Sequence, residues 1–364
     1  MTQSKLTIRT MIARPVNVPM TSPLQTSSGL IATVPLVLID IQTEEGITGS
    51  SYVFAYTPLA LKAITQLISN LESVIKGDIA APIAIEQKLQ GRFRLLGPQG
   101  LTGMAMAGID MALWDALAKA ADMPLVRLLG GEIKPIPAYN SCGLGIIGAE
   151  KAAVEAQELV APGFKAVKVR LGSLELETDL AVVQAVRKAV GDKVHIMVDF
   201  NQSLTVPEAL RRSHALEQEN LYWIEEPVVA DNYAGHAQIS HEIKTPIQLG
   251  ENWWGAHDMA KSIAAGASDF VMPDVTKIGG VTGWLRAAAL AEAAGLPMSC
   301  HLFPEISSHL LAITPTRHWL EYVDFANPIL QEPTKIENGN AIIPDVPGTG
   351  ISWNEETIKH YLFE

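Results

Sequence analysis

Three apolar runs near the middle of the chain end alike: His195-Ile-Met-Val-Asp199, Tyr222-Trp-Ile-Glu225 and Ile247-Gln-Leu-Gly-Glu251. Each is short and stops abruptly at a carboxylate. Short apolar runs predict buried strands of a parallel sheet. They recur about every two dozen residues, close to one strand, helix and return. From about residue 134 the same alternation covers the chain. Predicted strands are Ile136–Ser141, Ala166–Arg170, Val194–Asp199, Tyr222–Glu225, Ile247–Glu251, Phe270–Asp274, Pro297–His301 and Trp319–Glu321. Helical runs such as Glu175–Val190 and Val206–Gln218 lie between most of them. Eight such strands predict an α/β chain with a (β/α)8-type barrel, in regular or modified TIM form.

The flanks read differently. Thr7 to Val18 alternates, Pro35 to Gln42 is a strong strand, and Glu45-Gly46 is a turn before Ile47 to Tyr52. The polar stretch Met20 to Gly29 has the composition of a mobile flap loop. Pro58 to Lys119 reads helical, and Leu128-Leu-Gly-Gly131 closes that part. Beyond about residue 328 the chain is rich in Pro and Gly. The expected division is an N-terminal α+β capping domain (1–130), a barrel (131–328) and a C-terminal segment (329–364) that packs back on the cap.

Composition narrows the partners. A net charge of −12 argues against nucleic acid and anionic membranes. Cys142 and Cys300 are the only cysteines, so no disulfide framework is implied and a reducing cytoplasm fits. The N-terminus lacks the apolar core of a signal peptide, and no run is long enough to span a membrane. A cytoplasmic homo-oligomer acting on a small molecule is expected.

Parallel barrel strands bring their C-terminal ends to one face. Those ends are Ser141, Lys168 with Arg170, Asp199, Glu225, Glu251, Asp274, His301 and Glu321. Each acid alone could be a helix N-cap. Asp199, Glu225 and Glu251 in register instead favour one shared cation, because converging carboxylates repel. An all-oxygen site with open positions suits Mg²⁺. Lys168 and Arg170, two apart on one strand, point to the same side. A lone histidine at a strand end is usually structural, but Asp274 on the preceding strand can orient His301 as a base. Glu321 in an apolar pocket could stay protonated and donate to a developing oxyanion; the other reading is an ion pair with Lys168. Such a set suits removal of the proton α to a carboxylate. The charge would move onto the carboxylate oxygens as an enediolate.

At this point the sequence resembles the enolase superfamily, and within it the mandelate racemase subgroup. The resemblance runs almost the whole length. It rests on Val16-Asn-Val-Pro, Ser51-Tyr-Val-Phe-Ala-Tyr-Thr-Pro58, Ala107-Gly-Ile-Asp-Met-Ala, Met197-Val-Asp-Phe-Asn-Gln-Ser203, Trp223-Ile-Glu-Glu-Pro, Gly250-Glu-Asn-Trp, Lys277-Ile-Gly-Gly-Val-Thr-Gly-Trp284, Ser299-Cys-His-Leu-Phe and His318-Trp-Leu-Glu. It implies Mg²⁺ on Asp199, Glu225 and Glu251, with Lys168 at the substrate carboxylate. It also implies Glu321 as electrophilic acid, His301 with Asp274 as one base, and Ser141 and Asn201 as substrate holders.

One departure matters. The family's racemase pattern has a second lysine as the base on the opposite face, where this chain has Arg170. Arginine, with a pKa above ~12, serves more easily as a fixed cation than as a base. The resemblance also implies a pocket wall at Leu24, Ser28, Ile31, Phe54 and Tyr56. Four of these are large and apolar or aromatic, which suits an aryl or alkyl 2-hydroxy acid. The leading expectation is therefore a Mg²⁺-dependent racemase of hydroxy acids. The alternatives are a hydroxy-acid or sugar-acid dehydratase and a catalytically idle metal-binding relative.

Overall fold

The computed structural model describes residues 5–363. It opens with an antiparallel sheet of β1 (Ile8–Thr26), β2 (Gly29–Thr43) and β3 (Thr48–Phe54), in that order. The polar stretch expected as a flap loop is not a loop. It is the far end of the β1–β2 ribbon, where Leu24 pairs with Ile31 and Thr26 with Gly29 around Ser27-Ser28. A register shift between Pro19 and Leu24 marks where the ribbon leaves the sheet. Its polarity reflects exposure: Thr21, Ser22 and Pro23 all face outward.

Three long helices follow: α1 (Pro58–Ile75), α2 (Pro82–Arg92) and α3 (Leu101–Ala120). Thr57 caps α1, with Pro58 just inside, where its missing N–H costs nothing. Helix α3 is buried along most of its length and lies against β3. Gly108 permits that approach, since a Cβ there would collide with Ile39 and Val53. The Ser51 hydroxyl then reaches the Gly108 carbonyl at 2.7 Å.

The barrel is built from β4 (Ile136–Asn140), β5 (Ala166–Arg170), β6 (His195–Asp199), β7 (Trp223–Glu225), β8 (Ile247–Leu249), β9 (Phe270–Val271) and β10 (Leu320–Tyr322). Strands β4 to β9 pair in parallel sequence, and β10 returns to pair with β4. The expected strand at Pro297–His301 is the exception. It bridges its neighbours only singly, at Met298 and His301. Pro297 and the facing Pro273 have no N–H, so the ladder cannot run unbroken. Single bonds from Ser299 N to the Val271 carbonyl (2.8 Å) and from His301 N to the Pro273 carbonyl (3.2 Å) hold it in place. Tyr139, Ala166, Met197 and Trp223 fill the interior below the strand ends. Burying a large apolar side chain contributes about 1.5–3 kcal/mol, so this plug is a substantial floor.

After the barrel, β11 (Lys335–Glu337) and β12 (Asn340–Ile342) form a hairpin, and β12 adds antiparallel to β4. The last residues reach the first sheet. Trp353 Nε1 donates to Asp40 Oδ1 at 2.8 Å, and Phe363 N–H donates to the Pro15 carbonyl at 3.0 Å. Among the described residues no helix is long and apolar enough to cross a membrane.

Candidate active site

Lys168, Arg170, Asp199, Glu251, His301 and Glu321 at the strand ends line one cavity of about 600 Å³. Asp199, Glu225 and Glu251 each offer an oxygen, and these oxygens lie within 4.8 Å of one another. Their local backbones are specialised. Gly250 adopts φ +139°, and a Cβ there would strike the Met272 backbone, so only glycine turns the chain before Glu251. Asn201, beyond Asp199, is at φ +45° and donates its backbone N–H to Asp199 Oδ1 at 2.7 Å. Strained backbone of this kind clusters at functional sites.

Electrostatics test whether a metal suits this trio. Burial, with repulsion from the other acids, raises Asp199 above the usual carboxylate range and Glu225 well above it, despite Lys168. Lys168 is a cation in contact with two of them. Its Nζ is 2.9 Å from Glu225 Oε1 and 3.5 Å from Asp199 Oδ2. Excess negative charge on hard oxygen ligands is what a divalent cation such as Mg²⁺ relieves, so the donor set fits.

The rest of the ring is equally ordered. Lys168 Nζ also meets Glu321 Oε1 at 2.7 Å. Burial would lower the lysine pKa, but Glu225, Glu321 and Asp199 outweigh it and hold the ammonium charged. Glu321 thus makes the ion pair with Lys168 that was the second of its two expected readings. Burial favours its neutral form, but Lys168, His301 and Arg170 prevail and bring its pKa down to about 2. That favours its ionised form in this arrangement, as the ion-pair partner of Lys168. Ser141 Oγ (2.7 Å) and Leu302 N–H (3.1 Å) donate to its oxygens.

His301 Nδ1 lies 2.7 Å from Asp274 Oδ2. Its Nε2 faces the cavity, 3.3 Å from Glu251 Oε2. Burial alone would lower its pKa; Glu251, the bond to Asp274 and Glu321 raise it overall. Asp274 serves two ends at once. Oδ1 caps the short turn beginning at Val275, accepting from Thr276 N (2.7 Å) and Lys277 N (3.2 Å), which leaves Oδ2 for the imidazole. Arg170 is clamped. Its guanidinium donates to the carbonyls of Ser141 (3.2 Å), Gly143 (2.7 Å) and Lys168 (3.4 Å), and to Ser141 Oγ (2.6 Å).

The ribbon tip covers this face. Ser27 Oγ donates to the Phe200 carbonyl at 3.0 Å, and Ile146 N–H donates to the Gln25 carbonyl at 2.7 Å. Leu24, Ser28, Ile31, Phe54 and Tyr56 all line the cavity, as do Lys168, Arg170, Asn201, His301 and Glu321. Ser141 and Asp274 sit one bond behind. The Asn201 side chain donates to Asp199 Oδ2 at 3.0 Å, and its Oδ1 is buried without a partner. Sequence reasoning missed Leu101, Met104, Trp254 and Phe325, which extend the apolar wall. Only Met104 and Leu101 had a signal, as apolar residues at the start of a helical run. Lys277 was also missed as a wall residue; its Nζ lies 4.1 Å from the Tyr56 ring centroid.

With this geometry in hand, comparison with known proteins is decisive. Residues 8–130 match the mandelate racemase / muconate lactonizing enzyme N-terminal domain family, and residues 151–357 match the enolase C-terminal domain-like family. The chain belongs to the enolase superfamily, in its mandelate racemase subgroup. Similar proteins include the L-talarate/galactarate dehydratase of Salmonella typhimurium, 32% identical over 89% of this chain and 81% of that protein. The 3,6-anhydro-alpha-L-galactonate cycloisomerase of Streptomyces coelicolor is 32% identical over 89% and 90%. A crystal structure of an enolase from Bradyrhizobium, complexed with magnesium and mandelic acid, superposes with a TM-score of 0.96 at 45% identity over the full length of both chains. These superfamily relatives are enzymes, and solved ones hold magnesium.

Proposed function

We propose that this enzyme removes the α proton of a 2-hydroxy acid bearing an aryl or alkyl group through an enediolate, a Mg²⁺-dependent chemistry most like that of mandelate racemase. Asp199, Glu225 and Glu251 would hold the metal, which when bound adds positive charge for a carboxylate to bind and for its oxygens to bear more negative charge. Lys168 orients that carboxylate by charge-assisted hydrogen bonds. His301 Nε2 takes the α proton while Asp274 fixes the imidazole by its Nδ1–H. The electron pair of the broken C–H bond moves onto the carboxylate, giving an enediolate. Lys168 stabilises it, and Arg170 supplies positive charge from the other side.

The observation that carries this reading is the pairing of the His301–Asp274 dyad with an apolar wall in one cavity. The Bradyrhizobium neighbour with mandelic acid supports the acid and its aryl group. The test is solvent deuterium exchange at the α carbon of each mandelate enantiomer with purified protein and Mg²⁺. No exchange from any aryl or alkyl 2-hydroxy acid would exclude it.

A second reading, dehydration, is favoured by the clamp on Arg170. With one proton-moving face, His301 would return its proton to a departing β-hydroxyl as water, and the enol left behind becomes a 2-keto acid. The dehydratase relative supports it. Formation of a 2-keto acid from a 2,3-dihydroxy acid checks it.

A further inference from the structure

Tyr56 has a place in the cavity that its apolar neighbours do not share. It follows β3 at φ +59°, a left-handed backbone that is rare for an aromatic residue. That bend aims the ring at the barrel. Its hydroxyl lies 2.9 Å from Asp274 Oδ2, the same oxygen that meets His301 Nδ1 at 2.7 Å. The other Asp274 oxygen is already taken by Thr276 N, Thr276 Oγ1 and Lys277 N. Oδ2 is thus shared between one imidazole and one phenol. A carboxylate can only accept, so the phenol donates. Burial and nearby Asp274 raise the Tyr56 pKa well above its ordinary value, which keeps that proton on the hydroxyl.

Two contacts fix the ring. Phe54 lies against one side with centroids 4.5 Å apart, and the Lys277 ammonium sits 4.1 Å from the ring centroid. A cation over a phenol draws electron density from the ring and makes its O–H a better donor. Tyr56 comes from the N-terminal sheet, whereas Asp274 and His301 come from the barrel. A hydrogen bond across that seam holds the carboxylate where the imidazole needs it. It also limits how strongly Oδ2 draws on the imidazole proton.

We infer that Tyr56 is a positioning residue for the His301–Asp274 dyad, setting the carboxylate through its phenol, and not only part of the apolar wall. The inference rests on the reading of His301 as the proton-moving group. It differs from a wall role, because a wall needs the ring and positioning needs the hydroxyl.

Tyr56→Phe separates the two. It keeps the ring, the stacking and the cation contact, and removes one hydrogen bond. Turnover or α-deuterium exchange should fall about tenfold or more, as for partners that orient catalytic groups, with KM nearly unchanged. In the metal-free protein, the His301 Nδ1 proton resonance should move downfield, since Oδ2 then serves a single donor. If phenylalanine prevents folding, 3-fluorotyrosine in place of Tyr56 keeps the packing and should move that resonance upfield, because its phenol is the stronger donor. An unchanged kcat with an unmoved resonance would overturn the inference and leave Tyr56 as wall. If the unmodified protein exchanges no α proton but the resonance shifts, the catalytic reading fails and the positioning of the dyad stands.

Discussion

Lys168 Nζ lies 2.7 Å from Glu321 Oε1, and this ion pair is closed off from solvent at both ends. The same ammonium serves Glu225 and Asp199, so one cation holds three buried acids. Removing one partner of a buried pair leaves the others uncompensated, at a cost of about 3–5 kcal/mol. Lys168→Met should therefore destabilise the metal-free protein by about 3 kcal/mol in urea unfolding. Added Mg²⁺ should recover more stability in the variant than in the parent, because the lysine no longer competes for the carboxylates. Equal recovery in both would show that Lys168 and the metal do not share these acids.

Metal dependence itself is simple to check. Chelation should abolish activity and lower the melting temperature, and Mg²⁺ should restore both. Glu225→Gln removes one ligand charge without changing shape. It should weaken Mg²⁺ binding at least about tenfold by calorimetry. An unchanged affinity would mean that the trio is not the metal site.

How far the sequence foretold this site depends on which physical signal each residue carries. Asp199, Glu225 and Arg170 close predicted strands at their observed ends, because an apolar run stopping at a charge marks where burial ends. The ribbon misled, since most of Met20 to Gly29 is polar and shares a loop's composition, although Leu24 turns inward to the cavity. The strand before His301 is broken by prolines on two facing segments, and one segment alone does not reveal that pairing. The choice between a neutral Glu321 and one paired with Lys168 stayed open in the sequence for a different reason. It depends on Lys168, His301 and Arg170, brought close only by barrel closure. The phenol of Tyr56 likewise reads as apolar until Asp274 is seen beside it.

A pH prediction concerns stability away from the cavity. His309 is buried, its Nδ1 accepts from Val126 N–H at 3.1 Å, and its Nε2 donates to the Thr349 carbonyl at 3.2 Å. Burial lowers its pKa to about 4, outweighing the Thr349 contact. Burial likewise takes His236 and His318 to about 4. Below the ordinary value of 6.5 the unfolded chain binds a proton at each site that the folded chain refuses. Stability should thus be full above pH 6.5 and fall as pH drops towards 4. His309→Gln removes one of these three sites. Its stability should decline less steeply over that window, by on the order of 2 kcal/mol at the acid end. Parallel denaturation curves at pH 7 and pH 4.5 measure the difference; identical slopes would mean that His309 is not buried neutral.

The last prediction concerns the two faces of the substrate. His301 has an oriented imidazole open to the cavity, while the Arg170 guanidinium is committed to three carbonyls and Ser141 Oγ. Histidine titrates near neutrality, and a clamped guanidinium is suited to a fixed charge. Exchange should therefore be lopsided. The enantiomer whose α hydrogen faces His301 should exchange with solvent deuterium, and its mirror image should exchange far more slowly. His301→Asn should remove the fast exchange almost entirely. Arg170→Lys should bring the two faces closer, since a buried lysine beside another cation can lose its proton. It would also free the Ser141 and Gly143 carbonyls, so a structure of the variant should accompany the kinetics. Equal exchange of both enantiomers by the unmodified enzyme would refute a one-sided mechanism. It would require a competent second base at Arg170 or next to it.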